Sequence, residues 1–126
     1  VADKGAHEMA DTAVLAIRAE IPVPVLPRVF LIDTADGPRW LTAEGLRAIA
    51  AFATGIGPAK GLLDGRPEIV KAAHDAGLTV TPYTFTTRTP TAVPARFAGV
   101  AEEMRYYLQD LDVDALFTDN PDRFPR

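Results

Sequence analysis

Cysteine and serine are both absent from this chain of 126 residues. The first absence removes disulfides and thiolate metal sites, though it does not fix the compartment. The second removes a serine nucleophile. Histidine occurs only as His7 and His74. No apolar run reaches the roughly 18 residues that a membrane span needs. The start lacks a charged region followed by an apolar one, so it does not read as a signal peptide. The chain begins at Val1 rather than Met, and its true N-terminus is expected upstream. An excess of basic charge is missing too. The net charge of -4 argues against a nucleic-acid or anionic-membrane partner, which would favour a basic face.

What is present is material for a core: 48% of the residues are hydrophobic, enough for one modest domain over residues 1–126. The pattern is set by Ala73-His74-Asp75-Ala76-Gly77-Leu78-Thr79-Val80-Thr81-Pro82-Tyr83-Thr84-Phe85. Gly77 can take the left-handed conformation that closes a helix, and Leu78 can fold back on the last turn. The β-branched and aromatic run after it predicts a strand from Thr79 to Phe85.

The same unit recurs along the chain. Ala10, Ala13, Val14, Ile17 and Ile21 form one apolar stripe and predict a helix over 6–21, stopped by Pro22 and Pro24. Val25 to Ile32 reads as a strand, with Val29 to Ile32 its core and Pro27 near its start or at an edge. Asp33 to Pro38 is a polar turn. Thr42 caps a second helix that carries Leu46, Ile49 and Ala50. A strand over Ala53–Pro58 leads to Lys60. Pro67 opens a third helix with Ile69, Ala73 and Ala76 on its inner face. After a Thr- and Pro-rich loop over 86–95, Phe97, Val100, Ala101, Met104, Leu108 and Leu111 predict a fourth helix, and Val113 to Thr118 a fourth strand. Short apolar strands alternating with helices predict an α/β fold with a parallel sheet and crossover helices. Such folds carry ligands beyond the C-terminal ends of their strands, where Asp33, Lys60, Tyr83 and Asp119 fall.

Taken singly, these residues leave their roles open. Gly55-Ile56-Gly57-Pro58-Ala59-Lys60 can cradle a phosphate, but it lacks the spacing of a P-loop or a dinucleotide fingerprint. The plainer reading is a tight turn with a solvated lysine. Tyr83 also reads as a packed aromatic and Asp119 as a turn residue. His74 lies near a helix C-terminus, where a cation is favoured, on the end away from the ligand loops.

Three stretches together resemble the glycerophosphodiester phosphodiesterases, most closely the larger secreted or periplasmic type. They are Gly55 to Lys60, Ala72 to Phe85, and Leu116-Phe117-Thr118-Asp119-Asn120-Pro121-Asp122. Their order matches the C-terminal half of that family's barrel, over about residues 10–122. The resemblance implies a TIM (β/α)8 barrel of the PLC-like phosphodiesterase type, of which this chain holds about four β/α units. It implies a metal-dependent hydrolase that cuts a glycerophosphodiester to glycerol 3-phosphate and an alcohol. The implied Ca2+ or Mg2+ ligands and the acid and base histidines belong to the family's N-terminal half, so no catalytic or metal residue is expected in this chain. By position, Lys60, Tyr83 and Asp119 would face the phosphate and glycerol. Thr86 stands where the family often has an arginine, with Arg88 the nearest, and Thr54 where an aspartate is common. The implied partners are a small-molecule glycerophosphodiester and the N-terminal half of the barrel, and the implied location is secreted or periplasmic. Two other readings stay open: a non-catalytic half barrel that associates with itself or with a separate half, and a small α/β domain that binds a phosphorylated ligand.

Overall fold

The computed structural model describes residues 26–125. The helix expected over residues 6–21, the start of the first expected strand at Val25, and His7 lie outside that range. Three strands, β1 (Val29–Ile32), β2 (Gly55–Pro58) and β3 (Thr79–Val80), form a parallel sheet in the order β1-β2-β3. The register places Phe30 opposite Ile56 and Ile56 opposite Val80. Successive side chains of a strand point to opposite faces. Phe30, Ile32, Ile56 and Val80 accordingly bury into a helical layer. Val29 and Leu31 lean over Gly57 on the other face, where an added Cβ would lie only 2.7 Å from Leu31 Cδ2. That close approach explains the glycine.

The helical layer consists of α1 (Gly37–Trp40), α2 (Ala43–Ala50), α3 (Pro67–Asp75) and α4 (Val100–Arg105). Thr42 caps α2, its hydroxyl accepting from the Gly45 N–H at 3.0 Å. This helix buries Gly45, Leu46 and Ile49, while Ala50, expected on the same face, is exposed. Pro67 occupies the first turn of α3, where its missing N–H costs nothing. At the far end Gly77 has φ of +83°. The Leu78 N–H reaches the Ala73 carbonyl at 2.9 Å and the Gly77 N–H reaches that of His74 at 2.9 Å. These are the paired bonds of a Schellman closure, and they aim the chain straight into β3.

Three expectations need correction. The strand expected to run to Phe85 is regular only over Thr79–Val80. Beyond it Thr81 and Tyr83 still donate to Ile56 and Pro58 at 2.9 and 3.1 Å, but Pro58 has no N–H to return and Pro82 none for the segment on its other side, so the pairing thins to isolated parallel bridges, Ala59 with Tyr83 and Phe85 with Thr118. The fourth strand expected over Val113–Thr118 is instead an extended segment beside β3. Its Asp114, Phe117 and Asp119 N–H groups donate to Val80, Pro82 and Phe85 at 2.9–3.0 Å. Finally, the fourth helix begins at Val100 rather than near Phe97. It runs on as a π turn over Tyr106–Asp110. Tyr107, three residues past Met104, is buried, and its ring meets Phe85 edge-on at 5.0 Å between centroids, while Leu108 is only partly buried against the core. No helix among the described residues is long and apolar enough to cross a membrane.

Candidate functional site

The helices leave one face of the sheet uncovered among the described residues. Val29 is 36% and Phe117 44% exposed there. At the C-terminal end of the strands this face opens into a cleft of about 380 Å³, lined by Leu31, Tyr83, Thr84, Phe117, Thr118 and Asp119. Two of the expected site residues, Tyr83 and Asp119, therefore share one cavity. The Tyr83 hydroxyl donates to the Ile32 carbonyl at 3.3 Å, which swings its ring across the end of β1. Burial first, and the Asp33 carboxylate second, push its pKa above the ordinary value. Tyr83 is thus a neutral hydroxyl at physiological pH, with an aromatic face toward the cleft.

Asp119 is placed by its neighbours. The Thr118 hydroxyl donates to the Phe85 carbonyl at 2.8 Å and accepts from the Asn120 N–H at 2.9 Å. Asn120 accepts from the Thr87 N–H at 3.0 Å and donates to the Thr87 hydroxyl at 3.1 Å. The loop after Phe85 is thereby fastened to the segment that carries Asp119. It brings Arg88 Nε to 3.4 Å from Asp119 Oδ2. Asn120 escaped the sequence reading, although its place in a Thr-Asp-Asn-Pro turn, where Asn bonds nearby backbone, was the available signal.

Lys60 is not part of the cleft lining. Its backbone N–H donates to the Tyr83 carbonyl at 2.8 Å, which ties it to the rim. The ammonium turns instead toward α4. It donates to Glu103 Oε2 at 2.8 Å and to the Ala92 carbonyl at 2.9 Å, and lies 5.1 Å from the centre of the Phe85 ring. Glu103 is fully buried, and its second oxygen, Oε1, has no hydrogen-bond partner among the described residues. The Tyr107 hydroxyl donates to the Lys60 carbonyl at 2.9 Å. Burial, with Asp64 and Glu103 adding to it, holds that phenol well above its usual range. Glu103 also escaped the sequence reading, because its type says surface while its spacing from Val100, Met104 and Tyr107 says interior.

His74 lies at the opposite end of the sheet. Its Nε2 is 2.8 Å from Asp114 Oδ2, and that same oxygen accepts from the Val80 N–H at 2.7 Å. This cluster ties the end of α3 to the start of β3. No group of three or more His, Asp or Glu side chains among the described residues is placed to hold a metal ion. These residues do not by themselves fit the divalent ion that the resemblance implies. The cleft offers the hydroxyls of Tyr83, Thr84 and Thr118, one carboxylate and two aromatic rings, which is the equipment of a binding surface.

One protein-family model matches the chain over residues 9–123: the Glycerophosphoryl diester phosphodiesterase family. No curated protein matches it.

Proposed function

The chain belongs to the glycerophosphoryl diester phosphodiesterase family, and from that premise we propose that it supplies the substrate-binding half of a barrel that hydrolyses glycerophosphodiesters to glycerol 3-phosphate and an alcohol. The observation that carries the reading is the cleft holding Tyr83 and Asp119 beyond the strand ends, on a sheet face with no cover among the described residues. In this reading residues 1–126 form the C-terminal half of a (β/α)8 barrel, about four β/α units, and an N-terminal half closes the open face. That half brings the acid and base and the carboxylates for Ca2+ or Mg2+. A divalent ion neutralises charge that builds on the phosphoryl oxygens. This chain's own residues bind and orient. Tyr83 packs on the glycerol, Asp119 accepts from a group at the far wall, and Lys60 serves the phosphate side. A lysine ammonium has three donors, and Glu103 and Ala92 take two of Lys60's. We propose a secreted or periplasmic location, on the likeness to that type alone.

The test is glycerol 3-phosphate binding to the chain, followed by calorimetry. Saturable binding that Tyr83→Ala weakens by about tenfold or more supports the reading. Absence of binding at millimolar ligand overturns it.

A further inference from the structure

We propose, on the binding-half reading above, that Glu103 is a positioning residue for the cleft: through Lys60 it latches loop 86–95, which carries Arg88 to Asp119. The loop has little else to seat it. Thr87 to Thr91 are all exposed, and the Ala92 N–H turns back to the Thr89 carbonyl inside the loop. Among the described residues, the hydrogen bond that joins residues 89–95 to the rest of the fold is the one the Ala92 carbonyl accepts from Lys60 Nζ at 2.9 Å. Val93 adds a partly buried apolar contact. The first end of the loop meets the segment of Asp119. Thr87 and Asn120 exchange two hydrogen bonds there, and Arg88 Nε stands 3.4 Å from Asp119 Oδ2. An ion pair of that length, with the arginine side chain 79% exposed, is too weak to hold a loop. Arg88 therefore stays beside Asp119 only while the backbone brings it there.

Glu103 fixes the lysine that does this. Its carboxylate is fully buried, and among the described residues its one partner is Lys60, at 2.8 Å. Parting the two would strand a charge in the core. The ammonium is thus held where its next donor meets Ala92. The Phe85 ring, 5.1 Å from Nζ, and the Tyr107 hydroxyl on the Lys60 carbonyl steady the same residue. Stability alone does not explain a glutamate at this place, since an apolar pair of like volume often serves a core as well or better. The position of the loop explains it.

Limited trypsin digestion of the full chain, read at the bond after Arg88, tests the proposal. In Lys60→Met with Glu103→Leu the latch is gone while an apolar pair fills the core. The urea midpoint should stay near that of wild type. Cleavage after Arg88 should nevertheless quicken at least about tenfold, as the loss of a charged hydrogen bond predicts for a locally opening loop. The Thr87 amide should also exchange with solvent faster, because the release reaches the segment of Asp119. A purely structural role for the pair predicts instead that stability and loop protection recover together. Thr42→Ala with Gly77→Ala weakens the fold at sites outside this loop. It sets the rate that global loss alone gives, so a less stable Lys60 and Glu103 double variant is read against it. Cleavage no faster than that reference would overturn the latch. Faster cleavage with an unchanged Thr87 amide would overturn its reach to the cleft. Neither readout uses a ligand. Glycerol 3-phosphate binding can therefore fail, and the diesterase reading with it, while the latch stands, and the latch can fail while binding persists.

Discussion

Lys60 and Glu103 meet at 2.8 Å with side chains only 18% and 1% exposed. Removing one partner of a buried pair strands the other charge, which typically costs about 3–5 kcal/mol. Lys60→Ala should therefore lower the unfolding free energy by about that much in urea titrations. The double change Lys60→Met with Glu103→Leu should recover most of the loss, since an apolar pair carries no desolvation cost. The same pair separates structure from function at Lys60. Should the lysine serve the phosphate in the complete enzyme, the stable double variant will still lose at least about tenfold in turnover. Full turnover there would reduce Lys60 to a structural role. A second ion pair governs acid stability. Arg96 donates to both Asp64 oxygens, and these hydrogen bonds hold the Asp64 carboxyl below its ordinary value of 3.8. A group depressed on folding adds stability above its unfolded pKa and loses it as pH falls through the folded one. Wild type and Asp64→Asn should therefore differ in thermal midpoint near neutral pH and converge as pH falls below 3.8. A difference that persists at pH 2 would count against the assignment.

Among the secondary-structure elements, those set by local chemistry were legible and those set by tertiary context were not. The Thr42 cap, Pro67 at the start of α3 and Gly77 at its end each act within a few residues, so residue type and spacing disclose them. Val29 to Ile32 was legible for the same reason, being a β-branched and aromatic run. The fourth strand was not, because its regularity depends on what its neighbour offers, and Pro82 offers no N–H. Nor was the π turn over Tyr106–Asp110, whose wider hydrogen bonding leaves no mark in residue type or spacing. The cleft was legible in part. Tyr83 and Asp119 follow from lying just past strands, whereas the direction of the Lys60 side chain is set by Glu103, on another helix. The local signals carry a measurable forecast. Gly77→Ala forces a side chain into φ of +83° and should cost about 1 kcal/mol or somewhat more. Thr42→Ala removes the cap bond and should cost about 1 kcal/mol. The two sites are independent, so the double variant should show the sum in thermal or urea unfolding, within about 0.5 kcal/mol.

The described fold as a body has an uncovered sheet face with Val29 and Phe117 exposed and Leu31 partly so. Unpaired strand edges and apolar patches favour association. Sedimentation of the chain alone should accordingly show dimers or larger species, and a monodisperse monomer would contradict this. On the half-barrel reading proposed above, association of two copies is not expected to supply chemistry. Diester hydrolysis needs an activated water or neighbouring hydroxyl, an acid for the leaving alcohol, and stabilisation of charge at phosphorus. His74 is held by Asp114 beside the start of β3, at the end of the sheet away from Tyr83 and Asp119. The carboxylates Asp33 and Asp119 come from separate loops and build no group of three among the described residues. Binding substrate and transition state equally well does not speed the chemical step, so a cleft that only binds is expected to give no turnover. The chain of 126 residues, given glycerophosphocholine with Ca2+ or Mg2+, should release glycerol 3-phosphate no faster than a blank treated with EDTA. Release above that blank, abolished by Asp119→Asn, would place the catalytic groups in this half and overturn the division of labour proposed between the two.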